Sequence, residues 1–100
     1  MSDETATLLR VLVEGDVAEV AAALHAEVVF VQGDGTEHRG ADVVLAMFAG
    51  GEDGVRYAVY SVEAAAVRVE LTVSGMPGAV RFSLYGVSEA GQLVRVRVEA

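Results

Sequence analysis

Two histidines, His25 and His38, are the side chains of this sequence that titrate nearest neutral pH. His38 stands beside Glu37 and Arg39 on a predicted short strand, which makes it a candidate acid–base group. His25 follows a predicted helix, and the attraction of histidine to the negative end of a helix dipole explains its place without a catalytic role. Two histidines without a third ligand nearby do not make a zinc site, and cysteine is absent. The sequence therefore predicts no metal and no cofactor.

Composition limits the classes of partner. The chain has 100 residues, 53% of them hydrophobic and one of them proline, which predicts a single folded domain over residues 1–100. Fifteen acidic residues against seven arginines, with no lysine, give a formal net charge of −8. Nucleic acid and anionic membranes are therefore not expected as partners. No apolar run approaches the roughly 18 residues of a membrane span, and a chain without cysteine fits a cytoplasmic location.

Hydrophobic periodicity predicts helices and a hairpin in the first half of the chain. One helix has Leu8, Leu9, Leu12 and Val13 on its apolar face. Gly15 ends this helix, and Asp16 caps a second one with Glu19 three residues later. A buried strand is then expected at Val28–Val31, a glycine-rich turn at Gly33–Gly35 and a return strand at Thr36–Arg39, and Gly40–Asp42 opens a third helix.

The second half alternates with a period of two, which predicts strands. Four of them are expected, at Val55–Val62, Ala64–Val73, Ala79–Val87 and Gln92–Glu99. Helices placed mainly first and consecutive strands placed last are typical of the α+β class.

Four segments together carry a resemblance to a known family: the Gly15-Asp16 corner, the strand start Leu24–Phe30, the helix start Arg39–Asp42, and the final strand after Gly91. In this order they resemble the NTF2-like, or SnoaL-like, superfamily over nearly the whole chain. The resemblance implies a cone in which N-terminal helices pack in a curved, mostly antiparallel sheet around an apolar pocket, and a homodimer formed through the sheet. Polyketide cyclases, ketosteroid isomerases, epoxide hydrolases, dehydratases and binding domains share this fold, so fold does not fix function.

The catalytic positions of ketosteroid isomerases are not filled in this chain. By the resemblance, their carboxylate base falls at Gln32, their hydrogen-bonding acid near Ser83 and their oxyanion-binding tyrosine near Leu8. An amide cannot take up a proton at neutral pH, so that mechanism is excluded. An epoxide hydrolase of this fold would need Asp, Arg and Asp inside the cone, and the predicted strands supply no aspartate.

The family position near Ser83 also predicts which residues of strand 79–87 face the pocket, because alternate strand residues share a face. It places Val80, Phe82 and Leu84 on the convex side, where no helix is left to cover them, and so predicts a homodimer through these three residues. The residues predicted to face the pocket include four catalytic candidates, Tyr85, Gln32, Ser83 and His38. Six further residues are predicted to contact the ligand: Phe30, Val44, Met47, Phe48, Arg81 and Val87.

Simpler interpretations exist for the polar residues. A strand tyrosine such as Tyr85 is often an amphipathic core residue with its hydroxyl at the rim. The charges of strand 64–73 and of strand 92–99 are explained as cross-strand ion pairs on a solvated face, and involve Arg68, Glu70, Arg95, Arg97 and Glu99.

Two hypotheses for function follow. The first is a SnoaL-like pocket protein that acts on a polyketide-like or other apolar metabolite as a cyclase, isomerase or dehydratase, by positioning and hydrogen bonding. The alternative is a non-catalytic ligand-binding or dimerisation module. The lack of a carboxylate among the predicted pocket residues favours the alternative.

Overall fold

The computed structural model describes residues 3–48, 54–63 and 66–99. The predicted α+β order is confirmed within these ranges, and the predicted start of a strand at Ala64 lies outside them. The helices are α1 Asp3–Glu14, α2 Val17–Ala23 and α3 Ala41–Phe48. The strands are β1 Leu24–Val31, β2 Glu37–Arg39, β3 Val55–Val62, β4 Val67–Val73, β5 Val80–Glu89 and β6 Gln92–Glu99.

A tight corner joins α1 to α2 at the predicted Gly15-Asp16 pair. The Gly15 N–H donates to the carbonyl of Val11 at 2.7 Å, and a Cβ on Gly15 would lie 2.6 Å from that same oxygen. Asp16 and Glu19 form the predicted capping box: the Glu19 N–H donates to Asp16 Oδ1 at 2.8 Å and the Asp16 N–H donates to Glu19 Oε1 at 3.2 Å. The corner therefore needs glycine for space and an acid for the cap.

The strands form one mixed sheet in the order β2-β1-β6-β5-β4-β3. The β1–β6 pair is parallel and the other neighbouring pairs are antiparallel. Register shifts interrupt the β1–β6, β3–β4 and β5–β6 ladders. Irregularities of this kind bend a strand and increase its twist, so the sheet can wrap around the helices.

The two faces of the sheet differ in what covers them. The side that we call the concave face packs against α1 and α3 and carries apolar residues such as Phe30, Val69 and Leu84. The opposite side, the convex face, carries the alternate residues, among them Arg68 and Tyr85.

Helix α1 lies close to the concave face where β5 has a glycine. A Cβ on Gly86 would lie 3.0 Å from Leu9 Cδ2 and 3.2 Å from two further atoms of the same side chain. Thr5 Oγ1 and Ser88 Oγ are hydrogen-bonded at 2.6 Å and fix α1 along β5. Leu9, Leu84 and Val96 are fully buried beside this contact. The packed core thus fills the part of the cone under α1.

Candidate functional site

A pocket of about 200 Å³ remains at the part of the concave face that this core does not fill. The end of β1, the last turn of α3, and strands β3 to β6 surround it. The residues that line it are Phe30, Gln32, Gly33, Met47, Phe48, Tyr57, Leu71, Phe82 and Val98.

Four aromatic rings lie in the wall and contact one another in sequence. The ring of Phe48 lies 5.5 Å from that of Phe30 in an edge-to-face arrangement, and 5.7 Å from that of Tyr57. Tyr57 in turn meets Phe82 edge-to-face at 6.4 Å. Such edge contacts add to the stability of apolar burial and hold the rings in place. The wall is therefore a preformed aromatic surface.

Gln32 and Tyr57 are the polar side chains among the lining residues. The backbone of Gln32 is held by the turn after β1, since its N–H donates to Thr36 O at 2.8 Å and its carbonyl accepts from Gly35 at 2.9 Å. The side-chain amide of Gln32 and the hydroxyl of Tyr57 have no hydrogen-bond partner among the described residues, so both remain available to a ligand.

The turn after β1 contains a carboxylate, Asp34, whose pKa is lowered. The Thr36 backbone N–H donates to Asp34 Oδ1 at 2.9 Å, and this hydrogen bond is the main reason why the pKa of Asp34 is lowered. The charge of His38 contributes in the same direction. Asp34 is exposed on the turn, which makes it a structural residue that holds Gln32 in place.

His38 lies on the same face of the sheet as Phe30, its register partner on β1. The two rings are 6.4 Å apart, and Phe30 stands between His38 and the lined cavity. His38 Nε2 is buried and has no hydrogen-bond partner within the described part of the chain. An unpaired buried nitrogen costs stability, so its presence needs an explanation.

The predicted faces of β5 are wrong. Phe82 lines the pocket and Leu84 is fully buried in the core, whereas Ser83, Tyr85 and Val87 belong to the convex face. The reason is the contact between Gly86 and Leu9: α1 can lie against β5 only where a side chain is missing, and this fixes the even-numbered residues inside. Phe82 and Leu84 are therefore not free to form a dimer interface.

Charged and aromatic side chains on the convex face contact one another. The guanidinium of Arg97 lies 4.3 Å from the ring centre of Tyr85, and that of Arg81 lies 4.7 Å from the ring centre of Tyr60. Because β5 separates β4 from β6, the ion pairs predicted between those two strands do not form. The pairs observed are Arg81–Glu70 at 3.0 Å, Arg97–Glu99 at 2.9 Å, and Arg68–Glu63, which raises the pKa of Arg68.

The structure brings together only part of the predicted site. Gln32, Phe30, Met47 and Phe48 line one cavity, while Val44 lies in the core beside it. Sequence reasoning missed the contributions of β3, β4 and β6, which are Tyr57, Leu71 and Val98. The alternation of residues along these strands carried the signal, because Tyr57 and Leu71 are register partners on one face.

Neither a metal cluster nor a spanning helix is found in the described ranges. Residues 3–48, 54–63 and 66–99 contain no group of three or more His, Asp or Glu side chains that could hold a metal ion. Within the same ranges, no helix has the length and apolar character needed to cross a membrane.

Among known proteins, this chain is similar to solved structures. No protein-family profile matches the chain, and no curated protein matches it. Solved structures do match. A ketosteroid isomerase-type protein from Kribbella flavida superposes with a TM-score of 0.79 at 21% identity, covering 99% of this chain and 81% of that one.

Two further structures agree. A protein from Jannaschia sp. named for SnoaL-like polyketide cyclases gives a TM-score of 0.69 at 16% identity, covering 99% and 88% of the two chains. An NTF2-like protein of unknown function from Cytophaga hutchinsonii gives 0.65 at 14% identity, covering 92% and 81%. The chain has the NTF2-like fold. At these identities the NTF2-like likeness fixes the architecture and leaves the chemistry open.

Proposed function

We propose that this NTF2-like protein binds a small neutral molecule, aromatic or otherwise apolar, in the pocket of its cone. The observation that carries this proposal is the lining: apolar and aromatic side chains, with the amide of Gln32 and the phenol of Tyr57 as its polar groups. Few polar groups in an apolar wall are typical of small-molecule sites, where they fix the orientation of the ligand. An amide and a phenol offer hydrogen bonds without an ion-pair partner, which favours a neutral ligand.

Size narrows the ligand class. The pocket holds about 200 Å³, which is less than the roughly 300–1,000 Å³ of sites for drug-sized ligands. A compound of one or two rings is therefore a better match than a steroid or a long polyketide, most of which would stay outside.

Binding alone is favoured over proton-transfer chemistry. No carboxylate, histidine or other group that accepts a proton near neutral pH is among the residues lining the pocket. General base catalysis needs such a group within hydrogen-bond reach of the substrate. Of the two hypotheses, the ligand-binding module is the one that the lining supports.

A binding experiment with 2-naphthol, a neutral two-ring hydroxy compound, tests the proposal. Gln32→Leu and Tyr57→Phe each remove one polar group, so each should weaken affinity by about 0.5–1.5 kcal/mol, or roughly 2- to 13-fold. Tyr85→Phe is the matched control, because it removes the same hydroxyl from the convex face. Equal effects of the two tyrosine variants would contradict the proposal. Mass spectrometry of protein purified from its host would identify the natural ligand.

A second candidate function, an isomerase or cyclase, is favoured by one observation, the unpaired Nε2 of His38 behind Phe30. A ligand that displaced the Phe30 ring would bring an acid–base group to the pocket. The probe is 5-nitrobenzisoxazole: a base removes its C3 proton, the N–O bond breaks, and a cyanophenolate forms. Turnover that His38→Gln abolishes and His25→Gln preserves would show that His38 acts as a base toward a molecule in the pocket, which is the step this function needs. A rate equal to that in buffer would exclude it for this probe.

The homodimer stays a prediction, but the residues proposed for its interface change. With Phe82 and Leu84 inside, the available sheet surface is the convex face, where Tyr85, Val87 and Arg97 lie together. Tyrosine and arginine are enriched in protein interfaces. Light scattering at tens of micromolar protein distinguishes a mass near the 10.4 kDa of one chain from twice that value.

A further inference from the structure

A second depression lies outside the cone, on its helical side. It is bounded by α2, the start of β1, the first turn of α3 and the start of β6, and its volume is about 400 Å³. Its floor is apolar and includes Leu24, Ala26 and Leu45, and its polar side chains are His25, Asp42 and Gln92. We call it the α2–α3 groove.

Gln92 presents a hydrogen-bond acceptor to this groove. Its side-chain nitrogen lies 3.4 Å from the carbonyl oxygens of both Ala22 and Leu24, at the junction of α2 with β1. These contacts settle the orientation of the amide, since the nitrogen must face the two carbonyls. Gln92 Oε1 is then left as an acceptor, and it has no hydrogen-bond partner in the described ranges.

His25 presents a donor. The backbone N–H of Glu27 donates to His25 Nδ1 at 3.0 Å. A ring nitrogen that accepts cannot carry the proton, so in the neutral ring the proton lies on Nε2. The half-buried ring thus offers Nε2–H to a molecule in the groove.

Asp42 supplies the charge. Its exposed carboxylate has neither an ion pair nor a hydrogen bond with any residue in the described parts of the chain, and no arginine lines the groove. The groove therefore combines the carboxylate of Asp42, one hydrogen-bond acceptor and one donor above an apolar floor. The formal net charge of −8 also favours the approach of cations over anions.

We propose that the α2–α3 groove binds a small organic ammonium ion with a short hydrocarbon body. Asp42 pairs with the ammonium group, Gln92 Oε1 accepts one of its N–H bonds, and Leu24 and Leu45 cover the hydrocarbon. His25 Nε2–H donates to a hydroxyl or carbonyl where the ligand has one. This site is separate from the cone pocket, because the two share no lining residue, and it selects a cation where the cone pocket selects a neutral molecule.

The test is an NMR titration of the ¹⁵N-labelled full chain at pH 7 with cyclohexylamine, which is protonated, and with cyclohexanol, its neutral counterpart. The expected result is saturable shifts of amides around Ala26, Asp42 and Gln92 with the amine, and none there with the alcohol. Asp42→Asn should weaken amine binding by about 1.4- to fivefold, the range measured for an exposed ion pair. Asp34→Asn, which removes one charge at the far end of β1, should leave affinity unchanged.

Four outcomes would overturn the inference. They are shifts confined to Phe48, Tyr57 and Phe82, shifts that do not saturate, equal weakening by Asp34→Asn and Asp42→Asn, and equal response to amine and alcohol. Two cross-checks separate this site from the cone: Gln32→Leu should leave amine binding unchanged, and Asp42→Asn should leave 2-naphthol binding unchanged. If the amine binds and 2-naphthol does not, the groove site is supported and the proposed function of the cone pocket is contradicted. If 2-naphthol binds and the amine does not, the proposed function is supported and the groove site is contradicted.

Discussion

The concave and convex faces of β5 carry side chains of similar size in different surroundings. On the concave face, Phe82 meets the ring of Tyr57 and Leu84 is fully buried. On the convex face, Tyr85 lies under the guanidinium of Arg97, and Val87 is 51% exposed. Both faces are rich in apolar atoms, so apolar content does not tell them apart. This contrast shows that the helix packed on a strand, here α1 on β5, decides which face of the strand becomes the interior.

The largest expected effect tests which face of β5 is the interior. Leu84→Ala should lower the free energy of unfolding by about 2–5 kcal/mol, because it leaves a cavity in a packed core. Val87→Ala, on the half-exposed convex side, should cost less than about 1 kcal/mol. Urea unfolding followed by circular dichroism measures both. Similar costs for the two variants would mean that the faces are not distinguished as the structure has them.

The contact that sets the faces is the next test. Gly86→Ala places a methyl group within about 3.0 Å of Leu9 Cδ2 and should destabilise the fold by about 1–3 kcal/mol through overpacking. Gly33→Ala is the matched control, since the nearest atom to its Cβ would be Val98 O at 3.9 Å. Thermal or urea unfolding of the two variants decides. A neutral Gly86→Ala would show that α1 does not press on β5 at this point.

The orientation of the β5 residues can be predicted only in part from the sequence. Alternation along Val80–Val87, before the register shift between Val87 and Ser88, predicts two faces correctly. It does not say which face is inside, because Phe82 and Tyr85 are both aromatic and Leu84 and Val87 are both aliphatic. The clue was the register of β4, whose Val67 and Val69 pair with Leu84 and Phe82 and share their face.

A smaller effect is expected from the convex face. Arg97→Gln removes a guanidinium stacked on Tyr85 and paired with Glu99 at 2.9 Å. It should therefore cost about 0.5–1 kcal/mol, the worth of an exposed cation–π contact. Arg95→Gln, on the same strand and face, removes a charge that has neither a stack nor an ion pair within the described residues, and should cost less. If Arg95→Gln costs as much, the stack on Tyr85 contributes nothing measurable.

The smallest effect concerns Asp34 in the turn between β1 and β2, beside the pocket. The pKa of Asp34 is lowered from its ordinary value of 3.8 by the Thr36 N–H, so folding favours the charged form. Its contribution is present above that ordinary value and is lost as pH falls through the lower folded pKa. An NMR titration of the Asp34 carboxyl carbon should show this lowered pKa. In Asp34→Asn the turn acceptor remains, so the stability difference from wild type should shrink in acid.

Local sequence signals specify the order and type of the helices and strands. Gly15 and Asp16 specify the corner between the first helices, because only glycine fits against the Val11 carbonyl and an acid caps the second helix. The period-two patterns specify β3 and β6 with the predicted bounds. These are local properties, set by steric fit, capping and alternation within a few residues, and so they can be read from the chain alone.

The composition of the pocket depends on long-range packing. Gln32 and Tyr57 lie 25 positions apart in the sequence, and they line one cavity because the strands that carry them curve around the same space. Tyr85 lies on the convex face, outside the pocket, because Leu9 packs closely against Gly86 on the concave face. Such choices depend on which layer packs on which face. That is a matter of long-range packing, for which the two faces of an amphipathic strand offer no local preference when both carry apolar side chains.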